Sequence, residues 1–197
     1  AQQLGQNITL TAVNLEKLPG LIESLNQLAY QLQRLDQRTV AQARGYAQSY
    51  TSIFGSNVPP SFIDLGHFVQ LIYKNTKDAN VRTAAESVVA GLNDVIVAEK
   101  HGPSKPGSTG IAIYYPNSQL YSTATTGMSS YTVIANSFSR YSLWDDFLGY
   151  HYAGRQFQAT ATEPVALERA SQIPGLGNIT VGPIEASDDS VSSGDSV

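Results

Sequence analysis

The strongest constraint on this fold is a run of leucines at helical spacing, entered directly from a strand. Ile8-Thr9-Leu10-Thr11-Ala12-Val13 alternates apolar and polar residues and is rich in β-branching, which predicts a strand with one buried face. Asn14 stands where a helix N-cap belongs, with Glu16 close to the positive end of the helix dipole. Leu15, Leu18, Leu21, Ile22, Leu25, Leu28, Ala29, Leu32 and Leu35 then recur on one stripe, and Pro19 lies in the first turn, where a missing N–H costs nothing. An amphipathic helix of about 20 residues must lay that stripe on an apolar layer, and the strand before it makes a layered α/β fold the natural frame.

The rest of the chain fits that frame with few strands and many helices. The pattern predicts a second helix from Arg38 to Ile53, ended by Gly55 and Pro59-Pro60. Ser61 is the expected cap of a short helix with Leu65, Phe68, Leu71 and Ile72 on one face. Asp78 opens a longer helix with Val81, Ala84, Ala85, Val88, Val89, Leu92, Val95 and Ile96 inward, expected to stop at His101-Gly102-Pro103. Gly110 to Pro116 reads as a buried strand, 117–130 as loop, Tyr131 to Phe138 as strand or helix, and Leu143 to Tyr152 as a helix carrying Trp144 and Phe147. The expected core, where two helices cover the sheet, is Leu25, Leu28, Val88, Leu92, Ile111 and Ile113. The expected division is an α/β domain over 1–156, a linker or extra strand over 157–186 with Ile179 to Ile184 extended, and a disordered acidic, Ser-rich tail over 187–197.

Charge excludes some partners. All 12 basic residues lie before position 170, scattered rather than clustered, so no patch suits nucleic acid. The net charge of −4 comes from the last residues, with Glu185, Asp188, Asp189 and Asp195. No apolar run approaches the roughly 18 residues of a membrane span. The chain holds no cysteine, which removes disulfides, thiolate–metal sites and thiol nucleophiles. Ala1-Gln2-Gln3 has neither an initiator Met nor a basic leader, so we expect a processed chain or an excised fragment. Asn7-Ile8-Thr9 and Asn178-Ile179-Thr180 are glycosylation sequons.

No catalytic constellation emerges from the residues. His67, His101 and His151 share no metal-binding spacing and read as structural. Gly107-Ser108-Thr109-Gly110 precedes a strand, where a nucleophile elbow would follow one, and reads as a turn. Asp145 and Asp146 are adjacent on a helix and point about 100° apart, which opposes a shared proton. No phosphate loop or dinucleotide fingerprint is present. Tyr114, Tyr115, Tyr121, Tyr131, Tyr141, Tyr150 and Tyr152 crowd the C-terminal third, as core-edge packing or as a saccharide- or peptide-binding surface. No catalytic, cofactor-binding or metal-binding residue is therefore assigned.

Three motifs taken in order resemble one family. They are Ile8-Thr-Leu-Thr-Ala-Val-Asn-Leu-Glu-Lys-Leu leading into the Leu-rich helix, Phe62-Ile-Asp-Leu-Gly-His-Phe, and Gly107-Ser-Thr-Gly-Ile-Ala-Ile-Tyr-Tyr-Pro followed by Tyr141-Ser-Leu-Trp-Asp-Asp-Phe-Leu. Together, over about residues 7–152, they are similar to the C-terminal part of clostripain-type cysteine peptidases. The resemblance implies a caspase-like α/β/α sandwich in the intact protein. It also implies a His–Cys dyad and an acidic pocket for Arg or Lys, both on the N-terminal side of the matched region. None of those residues maps onto this chain. The expectation is a non-nucleophile-bearing C-terminal chain of such a peptidase, secreted or at the cell surface, partnered by the N-terminal catalytic fragment of the same precursor. The alternative is an inactive peptidase-derived extracellular scaffold or assembly subunit that meets copies of itself through sheet edges. A third class is a ligand-binding module using the Tyr-rich end.

Overall fold

A computed structural model of the protein describes residues 8–50, 60–123 and 128–159. The expected strand at 179–184, the acidic tail, most of the linker and both sequon asparagines lie outside the described residues. Among the described residues the fold is mixed α/β, dominated by helices, with two small sheets.

The opening strand forms as β1 (Thr9–Val13), and Asn14 turns the chain by accepting the Glu16 N–H. A single turn at Leu15–Lys17 leads into α1 (Leu18–Gln31), which buries Leu21, Leu25, Leu28 and Ala29. Asp36 caps α2 (Gln37–Tyr46) by accepting the Arg38 N–H. This helix is shorter than expected, because the chain turns extended at Ala47 and enters β2 (Ser49–Tyr50). Next come β3 (Phe62–Asp64), α3 (Leu65–Asn75) and α4 (Ala79–Val95), the last capped by Asp78. Ser61 is not the cap of α3; it is buried just before β3, and Asp64 caps the helix by accepting the His67 N–H.

The expected helix end at 96–101 is instead the strand β4 (Ile96–His101). Val95-Ile96-Val97 is a β-branched run that favours extended backbone once a partner is available, and β1 supplies it by pairing antiparallel to β4. A second sheet has the order β2-β3-β5, with β5 at Ala112–Tyr114. The two strands expected to share one sheet, at 8–13 and 110–116, therefore belong to separate sheets.

The stretch expected to be loop holds a one-turn helix, α5 (Ser118–Tyr121), and the start of α6 (Met128–Ile134). The ambiguous 131–138 segment is helical, in α6 and α7 (Asn136–Tyr141). Then α8 (Trp144–Ala153) places Trp144, Phe147 and Leu148 in the core. The core is largely helix on helix: α1 packs on α4, and α3 on both α4 and α2. Of the expected core residues, Leu25, Leu28, Val88, Leu92 and Ile113 are buried, and Ile111 is partly buried at the core's edge. An aromatic cluster of Phe68, Tyr115, Trp144 and Phe147, mostly edge-to-face, closes the end against α8.

The alternation in β1 is real, but its sense is inverted. Thr9 and Thr11 lie on the half-buried side, whereas Leu10 is 69% exposed. On β4, Val97 is 70% exposed. A strand's period shows that its faces differ, and only the rest of the fold decides which face is covered.

Candidate functional site

The densest polar site lies where the 103–110 loop crosses the start of α3. Strand β3 delivers Asp64 fully buried to the first turn of the helix, and its carboxylate gathers four donors. The His67 N–H donates at 2.9 Å, the Thr109 N–H at 2.7 Å, the Thr109 hydroxyl at 2.5 Å and the Tyr50 hydroxyl at 2.8 Å. Because Tyr50 donates to the carboxylate, its oxygen is free to accept the Ser108 hydroxyl, 3.0 Å away. Burial and the neighbouring carboxylate push the Tyr50 hydroxyl far above its ordinary range, so it stays protonated.

Two glycines permit this closeness. A Cβ on Gly66 would lie 2.3 Å from Thr109 Oγ1, and one on Gly107 would lie 2.2 Å from His67 Nδ1. His67 accepts the main-chain N–H of Gln48 at Nδ1 (3.0 Å), so its ring N–H is at Nε2 in the neutral form. Lys105 donates to the Ser49 carbonyl at 2.9 Å with its ammonium 5.5 Å from the Tyr50 ring centre. The result is a clasp joining β2, the loop and α3. Over it lies an open cleft of about 290 Å³ lined by His67, Gln70, Pro106, Gly107, Ser108 and Thr109.

Chemically the clasp is closed. Ser108 is buried with its hydroxyl bound to a tyrosine that cannot serve as a base near neutral pH, and Asp64 is saturated by the fold. The Gly107–Gly110 segment is thus the turn the sequence indicated, but a turn latched to His67 and Asp64. The missed partner was Asp64, whose place three residues before His67 is a capping signal in itself.

The other histidines are also committed. His101 Nδ1 lies 2.9 Å from Glu99. His151 Nδ1 lies 2.8 Å from Gln37 Oε1, among the rings of Tyr115, Phe147 and Tyr152. Burial, with a smaller effect from the Arg44 charge, lowers its pKa to about 4. Among the described residues no group of three or more acidic or histidine side chains could hold a metal ion.

Asp145 and Asp146 line a cleft of about 500 Å³ with Thr132, Gly149, Arg155, Gln156 and Phe157. Burial, then the charge of Asp146, raises Asp145 to about 6; burial raises Asp146 too, opposed by Arg155. Asp145 Oδ1 is sealed from solvent without a hydrogen-bond partner. The tyrosines mostly pack on one another: Tyr114 stacks on Tyr131 and Tyr121 lies against Tyr152, each pair with ring centres 4.6 Å apart, while Tyr115 is buried. No helix among the described residues is long and apolar enough to cross a membrane. No family model, curated protein or solved structure matches the chain.

Proposed function

We propose that this chain is the non-nucleophile-bearing part of a clostripain-like cysteine peptidase, secreted or at the cell surface, whose strands belong to a caspase-like sandwich in the whole protein. In that enzyme, cleavage after Arg or Lys requires a thiolate and its histidine, supplied by an N-terminal catalytic fragment of the same precursor. The observation that carries the reading is the commitment of His67, Ser108 and Asp64 to one another's surroundings, in a chain without cysteine. These groups shape and hold the loop over the start of α3 and supply no nucleophile–base pair. The motif order quoted above adds the family.

A second reading, an inactive peptidase-derived scaffold or assembly subunit, draws on the outward apolar side chains of β1 and β4, Leu10 and Val97. The test is to purify the native protein without denaturation and treat it with a thiol-reactive probe bearing an arginyl or lysyl group. Label on a covalently or non-covalently attached thiol-bearing segment, with none on residues 1–197, is the expected result. Hydrolysis of Arg or Lys substrates by the chain alone, unaffected by thiol alkylation, would overturn the reading. A native preparation lacking any thiol-bearing segment would leave the scaffold reading standing in its place.

A further inference from the structure

The two strands of the β1–β4 ribbon have edges of different character. Gly102 N–H donates to the Ile8 carbonyl, which fixes the parity of the ladder: Leu10 and Ala12 turn their N–H and C=O groups toward β4. Thr9 and Thr11 therefore turn theirs away. Beyond the irregularity between Ala12 and Val13, the Asn14 N–H donates to Val95, so Val13 also points outward. Among the described residues no strand pairs with that outer edge.

Proteins usually guard an open edge with charge, proline or cover. Strand β4 carries such guards in Glu99, Lys100 and His101, whereas β1 from Thr9 to Val13 has no charge and no proline. The apolar side chains on and beside β1 are also exposed: Ile8 at 41%, Leu10 at 69%, Val13 at 41% and Leu15 at 70%.

We propose that β1 is a self-association strand, pairing antiparallel with β1 of a second copy about a two-fold axis at Thr11. The pattern is self-complementary there. Thr11 faces the second copy's Thr11, Thr9 faces the second copy's Val13, and Leu10 sits beside the second copy's Ala12. All outward N–H and C=O groups of Thr9, Thr11 and Val13 find partners, and no charged residue meets a like charge, because Glu99 and Lys100 lie one strand further out. The pairing merges two ribbons into a four-stranded sheet whose centre, on the outer face, is the Leu10 and Ala12 of both copies. It names the partner for the assembly reading and rests on that reading. It is also compatible with a catalytic fragment docking elsewhere, so the thiol-labelling result and the association result can fail separately.

The test uses the alternation. Sedimentation velocity from about 1 to 100 µM should show a concentration-dependent dimer, with amide exchange at Thr9, Thr11 and Val13 slowing as the dimer forms. Leu10 and Ala12 amides, already in the β1–β4 ladder, should be protected throughout. Thr11→Pro removes an outward N–H and spares every β1–β4 hydrogen bond, so it should weaken the dimer at least tenfold while Thr11→Val does not. Thr9, Thr11 and Val13 amides that exchange equally fast at both concentrations would overturn the proposal, even if the proline variant misfolds. So would a folded Thr11→Pro protein that dimerises as the parent does.

Discussion

His67 and Gly107 stand so close that a single added methyl group would occupy the imidazole, since a Cβ on Gly107 falls 2.2 Å from Nδ1 and 2.7 Å from Cε1. The ring cannot easily yield, because Nδ1 is held by the Gln48 N–H. Gly107→Ala should therefore destabilise the protein by about 1–3 kcal/mol through overpacking. In a His67→Ala background the same substitution should cost less, because the main obstacle is gone. The remaining Gln48 Cβ contact at 2.9 Å keeps that cost above zero. A double-mutant cycle by urea denaturation measures the coupling, and strict additivity would show that ring and loop do not meet.

Asp64 supports a sharper prediction, because all four of its contacts are donors. Asp64→Asn keeps the size but replaces one acceptor oxygen with an NH₂ that faces donors. Bonds to charged acceptors contribute about 1.5–3 kcal/mol each, so a loss of roughly 3 kcal/mol or more is expected. Tyr50→Phe removes one donor and should cost about 1–2 kcal/mol. Chemical denaturation checks both, and an Asp64→Asn cost below that of Tyr50→Phe would contradict the clasp.

The sequence revealed the helices well, for a physical reason visible in Leu21, Leu25 and Leu28 or in Val81, Val88 and Leu92: each stripe repeats with the helix and is buried against another helix. What it concealed depends on distant partners. Leu92, Val95 and Ile96 continue a helical spacing locally, so nothing within that window shows that the helix stops at Val95, and β1, some eighty residues earlier, is what makes Ile96–His101 a strand. The same holds for β1, whose alternation is plain but whose Thr11 face lies under Gly110, about a hundred residues later in the chain. The clasp is half legible: the turn at 107–110 and the position of His67 are evident, but Ser61 and Asp64 are both capping residue types, and only the path of β3 decides that Asp64 accepts the His67 N–H.

Opposed titrations should flatten the acid response. His151 is held neutral, at about 4 against an ordinary 6.5. The unfolded chain therefore binds a proton that the folded one refuses between those values, and stability falls as pH drops through that window, by roughly 3 kcal/mol. Asp145 is raised to about 6 from 3.8. Here the folded chain binds the proton first, and stability rises as pH drops from 6 toward 4, by about 1 kcal/mol once solvent screening is allowed for. Asp145→Asn should stabilise the protein at pH 7 and steepen its acid destabilisation. His151→Gln should remove most of the loss between pH 6.5 and 4. Melting curves at pH 4.5, 5.5 and 7 separate the two, and parallel pH profiles for all three proteins would show that neither group titrates differently on folding.

Two carboxamides on one side of the α1 region hold the C-terminal part of the described fold. Asn26 donates to the Tyr141 carbonyl at 2.9 Å and accepts the Leu143 N–H at 2.8 Å. Seven residues later, Gln33 donates to the Phe157 carbonyl at 3.2 Å and accepts the Phe157 N–H at 3.3 Å. Seven residues are close to two helical turns, so both side chains emerge on the same side and each engages passing backbone through one donor and one acceptor. The Asn26 pair is shorter and braces the entry to α8, where Leu143 and Trp144 are buried. Asn26→Ala would leave two main-chain groups unpaired at that entry and should cost about 2–4 kcal/mol. Asn26→Asp keeps the acceptor for Leu143 and should cost less. Gln33→Ala, with longer bonds at a chain exit, should cost about 1 kcal/mol and mainly speed proteolysis beyond Tyr152. Denaturation with limited proteolysis reads both effects, and an Asn26→Ala cost no larger than that of Gln33→Ala would show that α8 is held by its buried aromatic face rather than by the carboxamide bridge.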